Sequence, residues 1–138
     1  NQYRETMSAA GHSDEIVAKN VEDSWVWRNI FVAETDAEAE KIGVPAFLES
    51  RQHIQDTRLK LNTAEEMSTV SHSLADPRFG VEHSLIYGSP DTVSDRIANL
   101  EKLGMGGLIL HFRVGPMSWE DNEKSLRLFA DRVMPNFR

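Results

Sequence analysis

The chain has 138 residues, 40% of them hydrophobic and 27% charged, which suits one domain and places it in the globular rather than the disordered class. A net charge of −7, with Lys and Arg scattered among acids, argues against a nucleic-acid surface, because phosphate binding needs clustered positive charge. Cysteine is absent, which excludes disulfides, thiolate metal sites and Cys nucleophiles. No apolar run approaches the ~20 residues of a membrane span and no basic, apolar leader opens the chain, so the expected location is cytoplasmic.

Tyr3 to Ala10 has helical character and Gly11 would end it, yet no N-cap precedes Tyr3. The helix is therefore expected to begin upstream of residue 1, in a longer protein. His12-Ser13-Asp14 is a polar connection, and Asp14 to Val21 reads as a further helical turn or two. Trp25 to Ala33, WVWRNIFVA, is rich in aromatic and β-branched residues and reads as a strand, apolar apart from Arg28 and Asn29. Trp25 and Trp27 are expected to pack against helices. An Arg in a buried strand needs a carboxylate, a phosphate or backbone carbonyls, and for Arg28 a structural ion pair is expected first.

Thr35-Asp36-Ala37-Glu38 is a capping box, so the strand turns directly into a helix. Gly43-Val44-Pro45 is expected to interrupt that helix, with Pro45 starting a second one that carries Phe47, Leu48, Ile54, Leu59 and Leu61. His53 reads as a surface residue. Residues 62–86 have no firm period and are rich in turn formers, so they are expected to form a lid or a disordered connection. His72 and His83 lie here, but their spacing matches no ligand motif and no metal site is expected.

Gly88 to Phe112 is the best-defined stretch. Ser89 is a helix N-cap and Pro90 fits the first helical position, where its missing N–H costs nothing. Apolar residues recur at Val93, Ile97, Leu100 and Leu103, and Gly104 stops the helix. Leu108 to Phe112 then reads as a buried parallel strand. After the loop at residues 113–117, Ser118 caps a last helix with Asp121 as its box partner, and Pro135 ends it. The alternation of helices and strands implies an α/β fold with parallel strands.

In such a fold ligands gather where the strands exit. His111 and Arg113 leave the second strand there, with Arg28 a weaker candidate and His83 and Tyr87 placed to join from the lid. His111 also fits a satisfied core histidine. The helix starts at Gly88, Ser89 and Ser118 offer free N–H groups to an anion.

Three blocks, VWRNIFVAETDAEAE, YGSPDTVSDRIANLEKLGMGGLILHF and SWEDNEKSLRLFADRVMPNFR, resemble in order and spacing the C-terminal third of the bacterial luciferase-like flavin-dependent monooxygenases. YRETMSAAGHS resembles the helix before that family's seventh strand. The resemblance implies the C-terminal portion of a (β/α)8 TIM barrel, strands seven and eight with their helices, incomplete as a barrel. It implies reduced FMN, molecular oxygen and a small organic substrate, the alternatives being an oxidoreductase of the same fold that uses the deazaflavin F420, or a non-catalytic flavin-binding or structural fragment. It also implies either a missing N-terminal half or association into a homo-oligomer, and a chain inactive by itself. No catalytic signature of the family falls in this segment.

Overall fold

The computed structural model describes residues 2–69 and 80–137. Helices α1 (Gln2–Ala9) and α2 (Asp14–Glu22) lead into strand β1 (Trp25–Val32), and the long helix α3 (Asp36–Leu61) follows. Short helices α4 (Ala64–Thr69) and α5 (Val81–Ser84) precede strand β2 (Leu85–Gly88), helix α6 (Pro90–Glu101), strand β3 (Gly107–His111) and helix α7 (Trp119–Leu128). The chain closes with a π turn at Phe129–Val133 and a 3-10 turn at Met134–Phe137 that contains Pro135.

The strands form one parallel sheet in the order β2-β1-β3. The second half of β1 pairs with β2, Asn29 opposite Leu85 through Val32 opposite Gly88. Its first half pairs with β3, Trp25 opposite Gly107 through Asn29 opposite His111. Thus β3 ends level with the middle of β1. Beyond it, the Val32 N–H finds its acceptor in the buried Ser125 hydroxyl of α7, at 2.8 Å. A helix side chain completes the ladder where a strand has run out.

Two expectations need correction. The helix after β1 is not interrupted at Pro45, because α3 runs unbroken from Asp36 to Leu61 with Pro45 inside it. Pro45 is exposed, so the carbonyl its missing N–H leaves free can meet water. Gly43 is buried for closeness to the sheet, since a Cβ there would lie 2.8 Å from Phe31 Cδ1. The second correction is a third strand. The sequence pattern places Leu85 and Ile86 in an unpatterned connection, but LIYG pairs with the buried half of β1. Four apolar residues are too few for periodicity to separate strand from helix. Residues 70–79, including His72, lie outside the described residues.

The two faces of the sheet differ. Ile30, Val32 and Ile86 pack on Val93 and Ile97 of α6 and on Phe129 and Val133, forming the main core. On the opposite face Phe31, Ala33 and Ala39 cluster where α3 begins, and Phe47, Leu85 and Val114 cluster beside them. This second face is covered only over its exit half. At its entry half Trp25 is 63% exposed, Trp27 52% and Ile109 52%, so the two tryptophans are not packed under helices as expected.

Candidate functional site

The junction of β2 with α6 is built around a carboxylate. Asp36, one residue inside α3, accepts the Ser89 backbone N–H at 2.7 Å through Oδ1 and the Thr92 hydroxyl at 3.0 Å through Oδ2. The Ser89 hydroxyl caps the Thr92 N–H in turn. Gly88 makes this possible: its φ is +149°, and a Cβ would meet Thr92 Cγ2 at 2.7 Å and Asp36 Oδ1 at 2.8 Å. The Ser89 hydrogen bonds, the Thr92 hydroxyl and the charge of Arg96 hold the Asp36 carboxyl below its ordinary range. Gly88 and Ser89 therefore do frame an anion, but that anion is the protein's own Asp36. At the start of α7, Ser118 accepts the Asp121 N–H at 3.0 Å and donates to the Asp121 carboxylate at 2.6 Å.

The remaining candidates are placed separately. Arg113 is exposed just past β3. Tyr87 is half-buried in β2, packed against the clusters around Phe31 and Phe47, with the Arg96 guanidinium 4.9 Å above its ring. His83 is exposed on α5. Arg28 is half-buried and its Nη1 donates 2.8 Å to the carbonyl of Trp27, its own neighbour. Among the described residues it makes no ion pair, contrary to expectation, and burial lowers its pKa. A backbone carbonyl within reach serves a guanidinium without fixing a second charge in the sheet.

His111 is the candidate with the most organised surroundings. It is exposed on the open face rather than in the core, and its ring stacks on Trp27 with centroids 5.5 Å apart and planes 25° from parallel. Its Nδ1 lies 3.1 Å from Asn29 Oδ1, and Asn29 Nδ2 donates to the Ser84 carbonyl at 3.2 Å. A carbonyl can only accept, so the Asn29 amide must turn its N–H₂ to Ser84 and its oxygen to His111. That oxygen requires a proton on Nδ1. Nε2 is left with a free lone pair and no protein partner among the described residues. Asn29 was visible in the sequence only as a polar residue in an apolar strand, Asp36 only as part of a capping box, and Ser125 carried no signal at all.

An apolar cavity of about 290 Å³ lies on the other face, between Ile97 and Leu100 of α6, Leu108 and Leu110 of β3, Phe129 and Phe137. Among the described residues no three His, Cys, Asp or Glu side chains gather to hold a metal ion. No described helix is long and apolar enough to cross a membrane.

The fold thus belongs to the α/β class, a small parallel sheet with helices on both faces. No protein-family model matches the chain, and no curated protein matches it. Among solved structures it is similar to monooxygenase RslO1 from Streptomyces bottropensis, at 23% identity and a TM-score of 0.58, over 99% of this chain and 36% of that one. It is also similar to the oxygenating constituent of 3,6-diketocamphane monooxygenase from Pseudomonas putida, a type II Baeyer–Villiger monooxygenase in complex with FMN. There the identity is 24% and the TM-score 0.53, over 99% of this chain and 38% of that one. The chain spans little more than a third of either protein.

Proposed function

We propose that this chain is the C-terminal portion of a (β/α)8 barrel in a luciferase-like flavin-dependent monooxygenase, with β1 and β3 as its seventh and eighth strands. The observation that carries the proposal is the match of almost the whole chain to just over a third of two monooxygenases, one of them holding FMN. The parallel neighbour relation of β1 and β3 agrees with it. The helices α6 and α7 share one face, as a barrel's outer helices would, while α3 covers the exit half of the other. The FMN-bound neighbour favours FMN over F420.

In the parent protein, reduced FMN would supply oxygen activation toward a small organic substrate. Among the described residues the two candidate helix starts are already engaged, the α6 start by Asp36 and the Ser118 hydroxyl by Asp121. Holding the flavin then falls to parts of the parent outside this chain, which therefore does not turn over alone. The part of residues 62–86 that precedes β2 serves in the same proposal as the lid.

The test is to express the reading frame extended N-terminally by roughly 200 residues, the remainder of such a barrel, beside the 138-residue chain. Oxygen consumption dependent on reduced FMN is expected from the long form and absent from the short one. Tight flavin binding with turnover by the short chain as a monomer would overturn the proposal.

A further inference from the structure

The cavity on the helix side of the sheet is walled by this chain's own elements. Its floor is Leu108 and Leu110 of β3, and one wall is Ile97 and Leu100 of α6. The other wall stands where regular α geometry stops. Phe129 opens the π turn there, and Met134 and Phe137 begin and end the 3-10 turn. A single π turn is rare and is frequently found at a functional site. The Phe112 ring meets Phe129 edge-on at 5.2 Å and holds it in place. Asn136 ties the last turn to α6, its Nδ2 donating to Ser94 Oγ at 3.1 Å. Met105 and Gly106, just before β3, also line the cavity. It therefore lies at the opposite end of α6 from Ser89, away from the strand exits.

Size and lining together select the occupant. At about 290 Å³ the cavity is close to the lower end of small-molecule sites, about 300–1,000 Å³. An apolar cavity of about 150 Å³ already holds benzene. Among the described residues that line it, Glu101 is the single polar side chain, and it is exposed. The Gly106 N–H is already given to the Ser24 carbonyl at 3.0 Å. A water needs about two to four polar partners, and this lining does not supply them. A protein partner needs a broad exposed apolar surface. Here Ile97 and Phe129 are buried, and Met134, at 37%, is the one apolar lining residue that is exposed.

We propose that this cavity binds a small neutral hydrocarbon, two fused rings or an alkyl chain of roughly ten carbon atoms. Met105 and Met134 let its walls adjust to the shape of the ligand. The proposal goes beyond the function given above and does not depend on it, because no wall of the site comes from outside this chain.

The test is methyl NMR on the 138-residue chain, carrying ¹³C at its five methionine methyls and titrated with naphthalene. Met105 and Met134 line the cavity, whereas Met7, Met67 and Met117 do not and serve as internal controls. Saturable shifts confined to Met105 and Met134 are expected, with a Tm that rises with naphthalene concentration. Naphthoate, the same rings with a charge, should bind more weakly by about ten-fold or more. Leu108→Trp, which fills the cavity, should remove the shifts. Glu101→Gln should change the affinity by less than about two-fold, since an exposed carboxylate contributes little. Should Leu108→Trp fail to fold, the naphthoate comparison and Glu101→Gln carry the decision. Shifts that do not saturate, shifts of equal size at the control methionines, or naphthoate bound as tightly as naphthalene overturn the proposal. The N-terminally extended form should show the same two shifts whichever cofactor it uses. Their absence there would mean that other segments fill the cavity, and overturns the proposal as well.

Discussion

Ser125 and Asp36 each hold backbone N–H groups that the regular elements cannot satisfy. Ser125 is fully buried and receives the Val32 N–H. Ser125→Ala leaves that donor orphaned, and a loss of about 1–3 kcal/mol is expected, read as a lower urea midpoint with unchanged slope. Asp36 acts through its charge. Its folded pKa lies below the unfolded value, so its contribution is present above the unfolded value and disappears as pH falls through the folded one. Asp36→Asn should therefore be less stable than wild type at neutral pH, and the gap should close on acidification through the carboxylate range. Thermal unfolding of both proteins across that range checks the sign.

At the scale of elements, α3 invites a stabilising substitution. Pro45 is exposed within an unbroken helix, so Pro45→Ala restores a hydrogen bond and removes little packing. An Ala in a helix interior is favoured over Pro by about 3 kcal/mol, less about 0.4–1 kcal/mol for the freer unfolded chain. A gain of about 2–2.6 kcal/mol is expected on these grounds, with a higher Tm in calorimetry. Gly43→Leu should do the reverse, because its side chain would enter the space of Phe31. The helix starts of α3, α6 and α7 were legible because their caps are local: Thr35, Ser89 and Ser118 each accept the expected N–H. The strands β1 and β3 were legible from composition. The strand β2 was not, since what makes LIYG a strand is the edge of β1 more than fifty residues away. The same non-locality hid the partner of His111, because Asn29 and His111 meet only through the register of two strands.

For the whole molecule, the exposed apolar surface predicts association. Trp25, Trp27 and Ile109 lie on one face, and Leu59 and Leu61 stand 59% and 78% exposed at the end of α3. Sedimentation velocity should show mass rising with concentration, and Ile109→Lys should lower it by placing charge on an edge strand.

The bond between Val32 and Ser125 also orders events in time. It joins residues 93 positions apart, and β1 receives its neighbours only after Gly88 and then His111 have been made. On a ribosome adding about 5–20 residues per second, β1 waits for several seconds for β2 and β3. Its ladder stays incomplete until α7 emerges. Loss of the last helix would therefore be felt first as poor yield of nascent chain, before any defect in the finished fold could be measured.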